Sequence, residues 1–533
     1  MSFPIIDLFA GPGGLAEGFS SLTDADRERV FKIKLSIEKD YYAHQTLTLR
    51  SFVRQFPLGE LPGEYYDFLE GKIEIDSLYK KFPEEYHEAS NEAWLATLGQ
   101  TPETEIDQRI TNLVGNEEHW VLIGGPPCQA YSSAGRSRVG GIHKDDHRVY
   151  LYKEYLRIIA RHHPAVFVME NVEGLLSAKL DGEKIFGWIL RDLRDPASVF
   201  GDHNSPGYRI YSLVTDDVQN DVDYLIKAED YGVPQKRHRV ILLGVRENIL
   251  TRPGILTPTD EVGLRSIIGM LPKIRSGMNR TFTHSVLVPK EDGGLKKKRF
   301  YTKAEDSPGN WAELTSNIRT EIGKLLNVEA DVDPAVIPLN IGSAYLPCNQ
   351  QLINPGHPLA SWYSDSKMTG VTQHESRGHL TQDLKRYLFA ALFTVKFNKF
   401  PKMKDYKLFD EELLPDHDSA DSGNFTDRFR VQVPDRPATT VTSHISKDGH
   451  YFIHYDHIQC RSLTVREAAR IQTFPDNYWF CGGRTEQFHQ VGNAVPPYLA
   501  YKIAKVVYEL LQVETAEAVS AETVSKAGLT ATE

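Results

Sequence analysis

Short apolar runs alternate with helix-like segments through the first half of the chain. The runs cover 4–9, 31–38, 120–123, 165–169 and 240–244, and each is long enough for a buried strand. Helical spacing follows the first run at 15–22 and precedes the fourth at 151–161. Strands that alternate with helices predict an α/β fold with a doubly wound sheet.

The remaining segments carry weaker patterns. Residues 50–118 are charged, aromatic and mostly helical in pattern, which predicts an elaboration between the second and third strands. A helical stretch covers 380–393, and Thr464 with Glu467 has the spacing of a capping box, so a helix should start there. The alanine-rich, polar segment 514–533 predicts a disordered tail.

The ends of the first two strands suit a nucleotide cofactor. Gly11, Gly13 and Gly14 lie between the first strand and a helix, where glycines let a ligand approach the backbone and the helix amino end faces it. A tight structural turn is the alternative. Glu38 ends the second strand, where a carboxylate can accept hydrogen bonds from ribose hydroxyls; a surface glutamate is the alternative there.

The next strand ends carry reactive groups. Cys128 follows Gly124-Gly125-Pro126-Pro127, and a thiol at a strand's carboxyl end can be a nucleophile or a small buried apolar residue. Glu170 could donate a proton or hydrogen-bond a ring nitrogen, or simply be solvated. Gln235, Arg237 and Arg239 alternate on one strand and share a face, which suits base carbonyls or phosphates.

Composition narrows the protein class only slightly. The 533 residues suffice for two or three domains. The four cysteines contain no CxxC pair, which indicates a reducing compartment and argues against a disulfide framework or a structural zinc site. We expect neither a signal peptide nor a membrane span, and hence a cytoplasmic protein. A net charge of −11 argues against a protein that coats nucleic acid, but a nucleic-acid enzyme needs only a local basic cleft.

Taken together and in order, these stretches resemble the DNA (cytosine-5)-methyltransferase family. The resemblance covers the glycine-rich segment Asp7–Gly14, the acid Glu38, the Pro-Cys segment 125–129, Leu151, the Glu-Asn-Val segment 170–172, the Gln-x-Arg-x-Arg segment 235–239, the segment 436–441 and the segment 492–497. The family's Asp-Ile adenine motif has no convincing match, either at 75–76 or at 106–107, so no adenine contact is assigned.

The resemblance implies an architecture. Residues 1–250 would form a Rossmann-like methyltransferase domain that binds S-adenosylmethionine, with the 50–118 elaboration within it. Residues 251–430 would be an inserted target recognition domain. Residues 431–513 would complete the catalytic domain, with a helix over 498–511 packed on the amino-terminal sheet.

The resemblance also implies a reaction. Cys128 would attack C6 of a flipped cytosine in double-stranded DNA, Glu170 would protonate N3, and Arg239, with Arg237 behind it, would bind O2. The loop 133–141 would cover the base, and no metal is implied. The methyl donor, S-adenosylmethionine, would be bound by Asp7, Phe9, Gly11, Gly13, Gly14, Leu15, Glu38, Leu151 and Asn493. The expected setting is the prokaryotic cytosol or nucleoid, in restriction–modification or phage defence, with a cognate restriction or defence protein as a partner.

Three alternatives remain to be weighed against this interpretation. A tRNA cytosine-5 methyltransferase would share the chemistry, but the large 251–430 insert argues against it. A nucleotide-binding oxidoreductase would leave Cys128, Glu170 and Arg239 unexplained. A catalytically inactive DNA-binding module is disfavoured because every matched chemical position is intact.

Overall fold

The computed structural model describes residues 2–127, 147–180, 182–201, 206–289, 293–416 and 427–529. Its first half contains the strands of the central sheet and three very short ones. They are β1 (Phe3–Leu8), β2 (Phe31–Glu38), β3 (Ala93–Leu95), β4 (Val121–Gly124), β5 (Val166–Val172), β6 (Lys179–Leu180), β7 (Glu183–Lys184), β8 (Tyr208–Tyr211), β9 (Leu225–Lys227), β10 (Gln235–Lys236) and β11 (His238–Arg246).

The central sheet has eight strands in the order β3-β2-β1-β4-β5-β11-β8, and β9 also pairs with β11. Strands β3, β2, β1, β4 and β5 are parallel, whereas β11 is antiparallel to its neighbours. The chain builds outward from β1 to β3 and then returns to β4 beside β1. This reversal creates a switch point at the carboxyl ends of β1 and β4, where open α/β sheets bind ligands.

Helices cover both faces of the sheet. Those of the first half are Gly14–Ser20, Tyr41–Arg54, Gly63–Leu69, Ile75–Lys81, Pro83–Glu92, Glu103–Val114, His147–His162 and Ile185–Arg194, with the 3-10 turns Glu173–Ser177, Ala197–Phe200, Asp221–Tyr224 and Ala228–Tyr231. On one face, Ile5 and Ile241 pack in a cluster that includes Ile503 and Val507 of the last helix. The doubly wound fold, completed by a carboxyl-terminal segment, is therefore confirmed.

The segment 50–118 is more than a helical addition to the domain. It is mostly helical, as predicted, but it also contains β3, which pairs in parallel with β2 through Ser36 and Ala93. Three residues are too few to show any hydrophobic periodicity. The segment therefore supplies the edge strand of the central sheet.

The last helix is longer than the sequence pattern predicts. It runs from Pro497 to Leu529, beyond the predicted 498–511 and into the segment 514–533, where disorder is expected. Alanine and glutamate recur in this segment and are strong helix formers. The disordered tail over 514–533 stays a prediction.

The middle and carboxyl-terminal segments are built from short strands around longer helices. The strands are β12 (Gly277–Met278), β13 (Arg280–Pro289), β14 (Leu295–Lys303), β15 (Gly342–Pro347), β16 (Gly370–Glu375), β17 (Gly378–His379) and β18 (Ala438–Thr439). The helices are Leu264–Ile268, Pro308–Leu326, Ala360–Tyr363, Thr381–Phe397, Met403–Phe409, Val465–Ile471 and Arg484–Asn493, with the 3-10 turns Pro334–Val336, Glu411–Leu413 and Ser443–Ser446. Trp311 and Leu388 lie in a core shared by the helices Pro308–Leu326 and Thr381–Phe397.

Both expected features of this half are present. The predicted 380–393 helix is Thr381–Phe397, and Thr464 and Glu467 form the capping box at the start of Val465–Ile471. In the described part of the chain, no helix is long and apolar enough to cross a membrane.

Candidate active site

The loop after β1 turns sharply at the switch point. Gly11 and Gly13 have φ of +57° and +92°, and Phe9 also has a positive φ of +57°. A non-glycine residue in the left-handed region costs about 1–2 kcal/mol. Backbone strain of this kind persists where the surrounding structure enforces it and is concentrated at functional sites.

The three predicted cofactor glycines have different surroundings. A Cβ on Gly11 would meet no atom within 4 Å, whereas one on Gly13 would lie 3.0 Å from Leu47 Cδ1. A Cβ on Gly14 would lie 2.3 Å from the Val495 carbonyl oxygen. Gly11 therefore borders open space that a ligand can use, while Gly14 is required for packing against the carboxyl-terminal segment.

Glu38 organises this loop from the end of β2. One carboxylate oxygen accepts a hydrogen bond from the Gly11 N–H at 2.8 Å, and the other accepts from Lys39 and Asp40 at 2.9 and 2.7 Å. Burial raises the pKa of Glu38, and these backbone hydrogen bonds oppose that rise. Glu38 thus joins the end of β2 to the glycine loop.

The other predicted cofactor residues are spread around the switch point. Asp7 is buried, burial raises its pKa, and its carboxylate oxygens have no hydrogen-bond partner among the described residues. Leu15 is packed in the hydrophobic core, and Leu151 is buried on the helix His147–His162. Asn493 is exposed at the end of the helix Arg484–Asn493, two residues before the Val495 contact with Gly14.

Glu170 and Arg239 form an ion pair at the end of β5. Arg239 Nε lies 2.6 Å from Glu170 Oε1, and each side chain is 14% exposed. The pair is therefore largely enclosed yet reachable from solvent.

The segment that leads to Cys128 lies against Glu170. A Cβ on Gly125 would be 2.9 Å from Glu170 Oε2, so a larger residue there would have to displace the Glu170 carboxylate. Asn171 Nδ2 also donates a long hydrogen bond of 3.5 Å to the Pro126 carbonyl oxygen. Cys128 itself and the predicted loop 133–141 lie outside the described residues.

Gln235 and Arg237 are bonded to the carboxyl-terminal segment and not to the Glu170 pair. Gln235 accepts from the Val441 N–H at 2.6 Å, and Arg237 donates to the Val441 carbonyl at 2.9 Å and to the Gly492 carbonyl at 3.2 Å. Arg237 is 1% exposed, and burial lowers its pKa. Arg237 is therefore bonded away from Arg239, with which the motif groups it.

Several residues that support the site carry no sequence signal of their own. The Tyr478 hydroxyl donates to the Pro12 carbonyl, and the Thr46 hydroxyl donates to Gln490 and accepts from the Cys481 N–H. These contacts hold the glycine loop and the helix after β2 against a segment more than 400 residues away. A contact across such a distance leaves no local pattern.

The cysteines and the potential metal ligands were compared within the described part of the chain. Cys348, Cys460 and Cys481 are free thiols. Burial raises the pKa of Cys460 to about 12 and that of Cys481 to about 11. No group of three or more potential metal ligands is placed to hold a metal ion among the described residues.

The fold and the site together define a class of protein. A doubly wound sheet with a glycine loop after β1, an acid at the end of β2 and a carboxylate–guanidinium pair between β5 and β11 is a Rossmann-like α/β fold with a ligand site at its switch point.

Comparison with known families identifies the branch. Residues 82–509 match the family described as C-5 cytosine-specific DNA methylase. The chain belongs to this family.

Bacterial relatives extend the match to nearly the full chain. The protein is 31% identical to the type II methyltransferase M.Bpa9945I of Bacillus paralicheniformis, over 95% of this chain and 99% of the relative. It is 27% identical to the type II methyltransferase M.AgeI of Thalassovita gelatinovora, over 94% and 98% of the two chains.

A solved structure shares the fold. It is a candidate DNA modification methyltransferase encoded within an E. coli prophage. The two chains superpose with a TM-score of 0.50 at 20% identity, over 96% of this chain and 100% of that one.

Proposed function

We propose that this protein transfers a methyl group from S-adenosylmethionine to C5 of a cytosine that is flipped out of a specific DNA sequence. The observation that carries the proposal is the Glu170–Arg239 pair, with the Gly125 backbone against the same carboxylate. The acid and the cation lie at one edge of the sheet, and the segment that leads to Cys128 lies against the same acid.

The residues at the switch point support S-adenosylmethionine as the methyl donor. The open space at Gly11, the acid Glu38 and the exposed Asn493 would hold it, with Phe9 and Leu151 as apolar contacts and Asp7 buried beneath the loop. When bound, it supplies an electrophilic methyl group. Gly13, Gly14 and Leu15 support the loop by packing.

The chain's own residues would activate the cytosine. The Cys128 thiolate forms a bond to C6 while Glu170 donates a proton to N3, which turns the ring into an enamine with a nucleophilic C5. Arg239 would bind O2 and hold Glu170 in place, and Arg237 would position this strand. After C5 accepts the methyl group, loss of the C5 proton and β-elimination break the bond to Cys128.

The other cysteines support the choice of Cys128 as nucleophile. The raised pKa values of Cys460 and Cys481 leave almost no thiolate near neutral pH, because their thiols are buried. Cys128 follows the Gly125–Pro126 segment that lies against Glu170. A Cys128 nucleophile and the Glu170 acid would therefore act within one site.

The remaining parts of the proposal concern DNA. The reaction cannot occur inside a duplex, so the cytosine must be extruded, with the loop 133–141 as its cover. We also propose that the chain divides into residues 1–250, 251–430, 431–513 and 514–533. Residues 251–430 would recognise the DNA sequence. The type II relatives favour a restriction–modification role, with a cognate restriction enzyme as partner, in the bacterial cytoplasm.

Bisulfite sequencing of plasmid DNA from cells that express the protein tests the proposal. Cys128→Ala is the inactive variant, and Cys348→Ala is the matched control because Cys348 is a half-buried free thiol away from the motif. We expect protected cytosines within one short sequence for the wild type and the control, and none for Cys128→Ala. Methylated cytosine in tRNA with unmodified plasmid would instead identify a tRNA enzyme.

A further inference from the structure

The hairpin formed by β13 and β14 differs from every other strand pair described here in its charge and exposure. Its two strands carry six cations and no carboxylate, in a chain whose net charge is −11. None of its residues is buried. We call this pair of strands the basic ribbon.

The two faces of the basic ribbon have different environments. On one face Lys297 pairs with Asp416, and Arg299 donates to the Asp416 carbonyl at 2.9 Å. The other face carries the exposed side chains His284, Val286, Lys296, Lys298 and Phe300 and the half-buried Val288. We call this second surface the open face.

The open face is ordered by its own contacts. The His284 ring stacks on the Phe300 ring, with centroids 4.7 Å apart and planes 9° apart. The Lys298 ammonium lies 5.5 Å from the centre of the same ring. Lys296 and Lys298 form no ion pair among the described residues, so their charge is available to a partner.

The base of the ribbon is fixed to the scaffold of the candidate site. Gln382 accepts from the Phe282 N–H and donates to the Phe282 carbonyl, which clamps β13 to the helix Thr381–Phe397. Next to the ribbon, β12 pairs with β17. The preceding Arg377 donates to the Ile445 and Lys447 carbonyls, close to the Thr442–Ser443 backbone that touches Gly492.

We propose that the open face of the basic ribbon enters the major groove of the target DNA and reads base edges. This inference rests on the proposed function and assigns part of the sequence readout to particular side chains. A two-stranded ribbon fits the B-DNA major groove. The open face mixes donors with apolar groups, as base edges require, whereas a surface that only bound phosphates would need cations alone.

Individual contacts follow from this placement. Lys298 and Lys296 would donate to guanine O6 and N7, and Val286 would contact a thymine methyl group. Lys297 and Arg299 would stay bonded to Asp416 and hold the ribbon in position. Phe300 would keep the His284 ring and the Lys298 ammonium in place.

The test compares DNA binding by two double variants of the full-length protein. Lys296→Ala/Lys298→Ala alters the open face. Lys32→Ala/Lys80→Ala removes the same charge from exposed positions on β2 and on the helix Ile75–Lys81. Fluorescence anisotropy would measure the affinity of each for a duplex that contains the methylated sequence and for a shuffled duplex, over a range of salt concentrations.

We expect the ribbon variant to lose about tenfold or more in affinity for the methylated sequence, with a much smaller loss on the shuffled duplex. The control variant should match the wild type on both. Equal losses of affinity for the two duplexes would show phosphate binding only and overturn base reading. The slope of log affinity against log salt concentration would then fall by about two units. Wild-type affinities in the ribbon variant would overturn the role of the ribbon.

Failure of the wider proposal would be visible separately. If the wild type methylates no DNA, the proposed function fails before the ribbon is tested. If it methylates its sequence and the ribbon variant keeps the wild-type specificity ratio, only the inference about the ribbon fails. Unchanged thermal melting of both variants would show that the exposed substitutions leave the fold intact.

Discussion

Glu170 contacts more of the candidate site than the other predicted catalytic residues in the described part of the chain. It pairs with Arg239, it borders the Gly125 backbone, and it lies near the end of β5, the strand next to β4. We expect Glu170→Gln to lower the methylation rate by about 100- to 10,000-fold, since the amide keeps the shape but cannot donate a carboxyl proton. Single-turnover methylation of a duplex measures this loss.

A second glutamate provides the matched comparison. Glu183→Gln makes the same chemical change at an exposed position on β7 and should leave the rate unchanged. S-adenosylmethionine affinity should be equal in both variants and the wild type. A Glu170→Gln rate within threefold of the wild type would contradict the proton-donor role.

Alanine substitutions at Gly11 and Gly14 should distinguish an effect on ligand binding from an effect on packing. Gly11→Ala meets no neighbour but places a side chain at φ +57°, so we expect about 1 kcal/mol lower unfolding free energy and clearly weaker S-adenosylmethionine binding. Gly14→Ala forces a Cβ to 2.3 Å from the Val495 carbonyl and should destabilise by more.

Thermal melting and calorimetric titration with S-adenosylmethionine would measure these two effects. The larger loss of melting temperature should belong to Gly14→Ala. Gly11→Ala should lose more affinity for S-adenosylmethionine, relative to its loss of stability, than Gly14→Ala does. The reverse order would contradict the assignment of the open space at Gly11 to the cofactor.

Some residue positions could be predicted from the sequence and others could not. Glu38 and Glu170 could be placed at or near strand ends because buried apolar runs lead directly into them. Glu38 ends β2, and Glu170 lies two residues before the end of β5. The buried role of Arg237 could not be predicted, because its partners Val441 and Gly492 lie more than 200 residues away. The role of Cys128 stays a prediction.

At the scale of elements, the contact between the first and last helices closes the catalytic fold. A Cβ on Gly18 would lie 2.4 Å from both Ala500 Cβ and the Pro497 carbonyl oxygen. We therefore expect Gly18→Ala to destabilise the protein by about 1–3 kcal/mol through overpacking. Chemical denaturation monitored by circular dichroism would measure it.

The control is a glycine in an unobstructed helix. Gly187 lies in the helix Ile185–Arg194, and its Cβ would meet nothing within 4 Å. Gly187→Ala should stabilise by about 0.5–1 kcal/mol through helix propensity alone. A Gly18→Ala variant as stable as Gly187→Ala would mean that the last helix does not pack as described.

Element prediction succeeded where local rules decide the outcome. Strand β2 has the predicted bounds, 31–38, because its run is long and sharply delimited. The capping box at Thr464 is formed because its two hydrogen bonds involve only neighbouring residues. Strand β3 was missed, since its pairing with β2 and not its three residues makes it a strand.

At the scale of the whole molecule, one carboxylate joins three segments. Asp365 accepts hydrogen bonds from the Tyr66 hydroxyl and from Asn477 Nδ2, both at 2.8 Å. We expect Asp365→Ala to lower the unfolding free energy by about 1–3 kcal/mol, because two buried or half-buried donors lose their acceptor. Urea denaturation would measure the loss.

An exposed aspartate serves as the reference for that change. Asp260 has no hydrogen-bond or ion-pair partner among the described residues, and Asp260→Ala should change stability by less than about 0.5 kcal/mol. Equal stabilities for the two variants would show that the 50–118 segment does not brace the middle segment through Asp365. No sequence pattern predicts such a junction, since its members come from three distant parts of the chain.

Buried histidines between the middle and carboxyl-terminal segments should make stability depend on pH. Burial lowers the pKa of His374 and His454 to about 4, beside Arg461 and Glu467. Between pH 6.5 and 4 the unfolded chain binds protons that the folded chain excludes, so stability falls as pH falls. The loss should approach about 2–3 kcal/mol per histidine.

Urea denaturation at pH 7.5, 6.5, 5.5 and 5.0 would measure this dependence. His374→Gln should be less stable than the wild type at pH 7.5, because His374 bonds to Thr464 and Pro272, yet its stability should fall less steeply toward pH 5. His87→Gln, at an exposed site, should keep the wild-type slope. Equal wild-type stability at pH 7.5 and 5.0 would contradict the burial of neutral histidines at this junction.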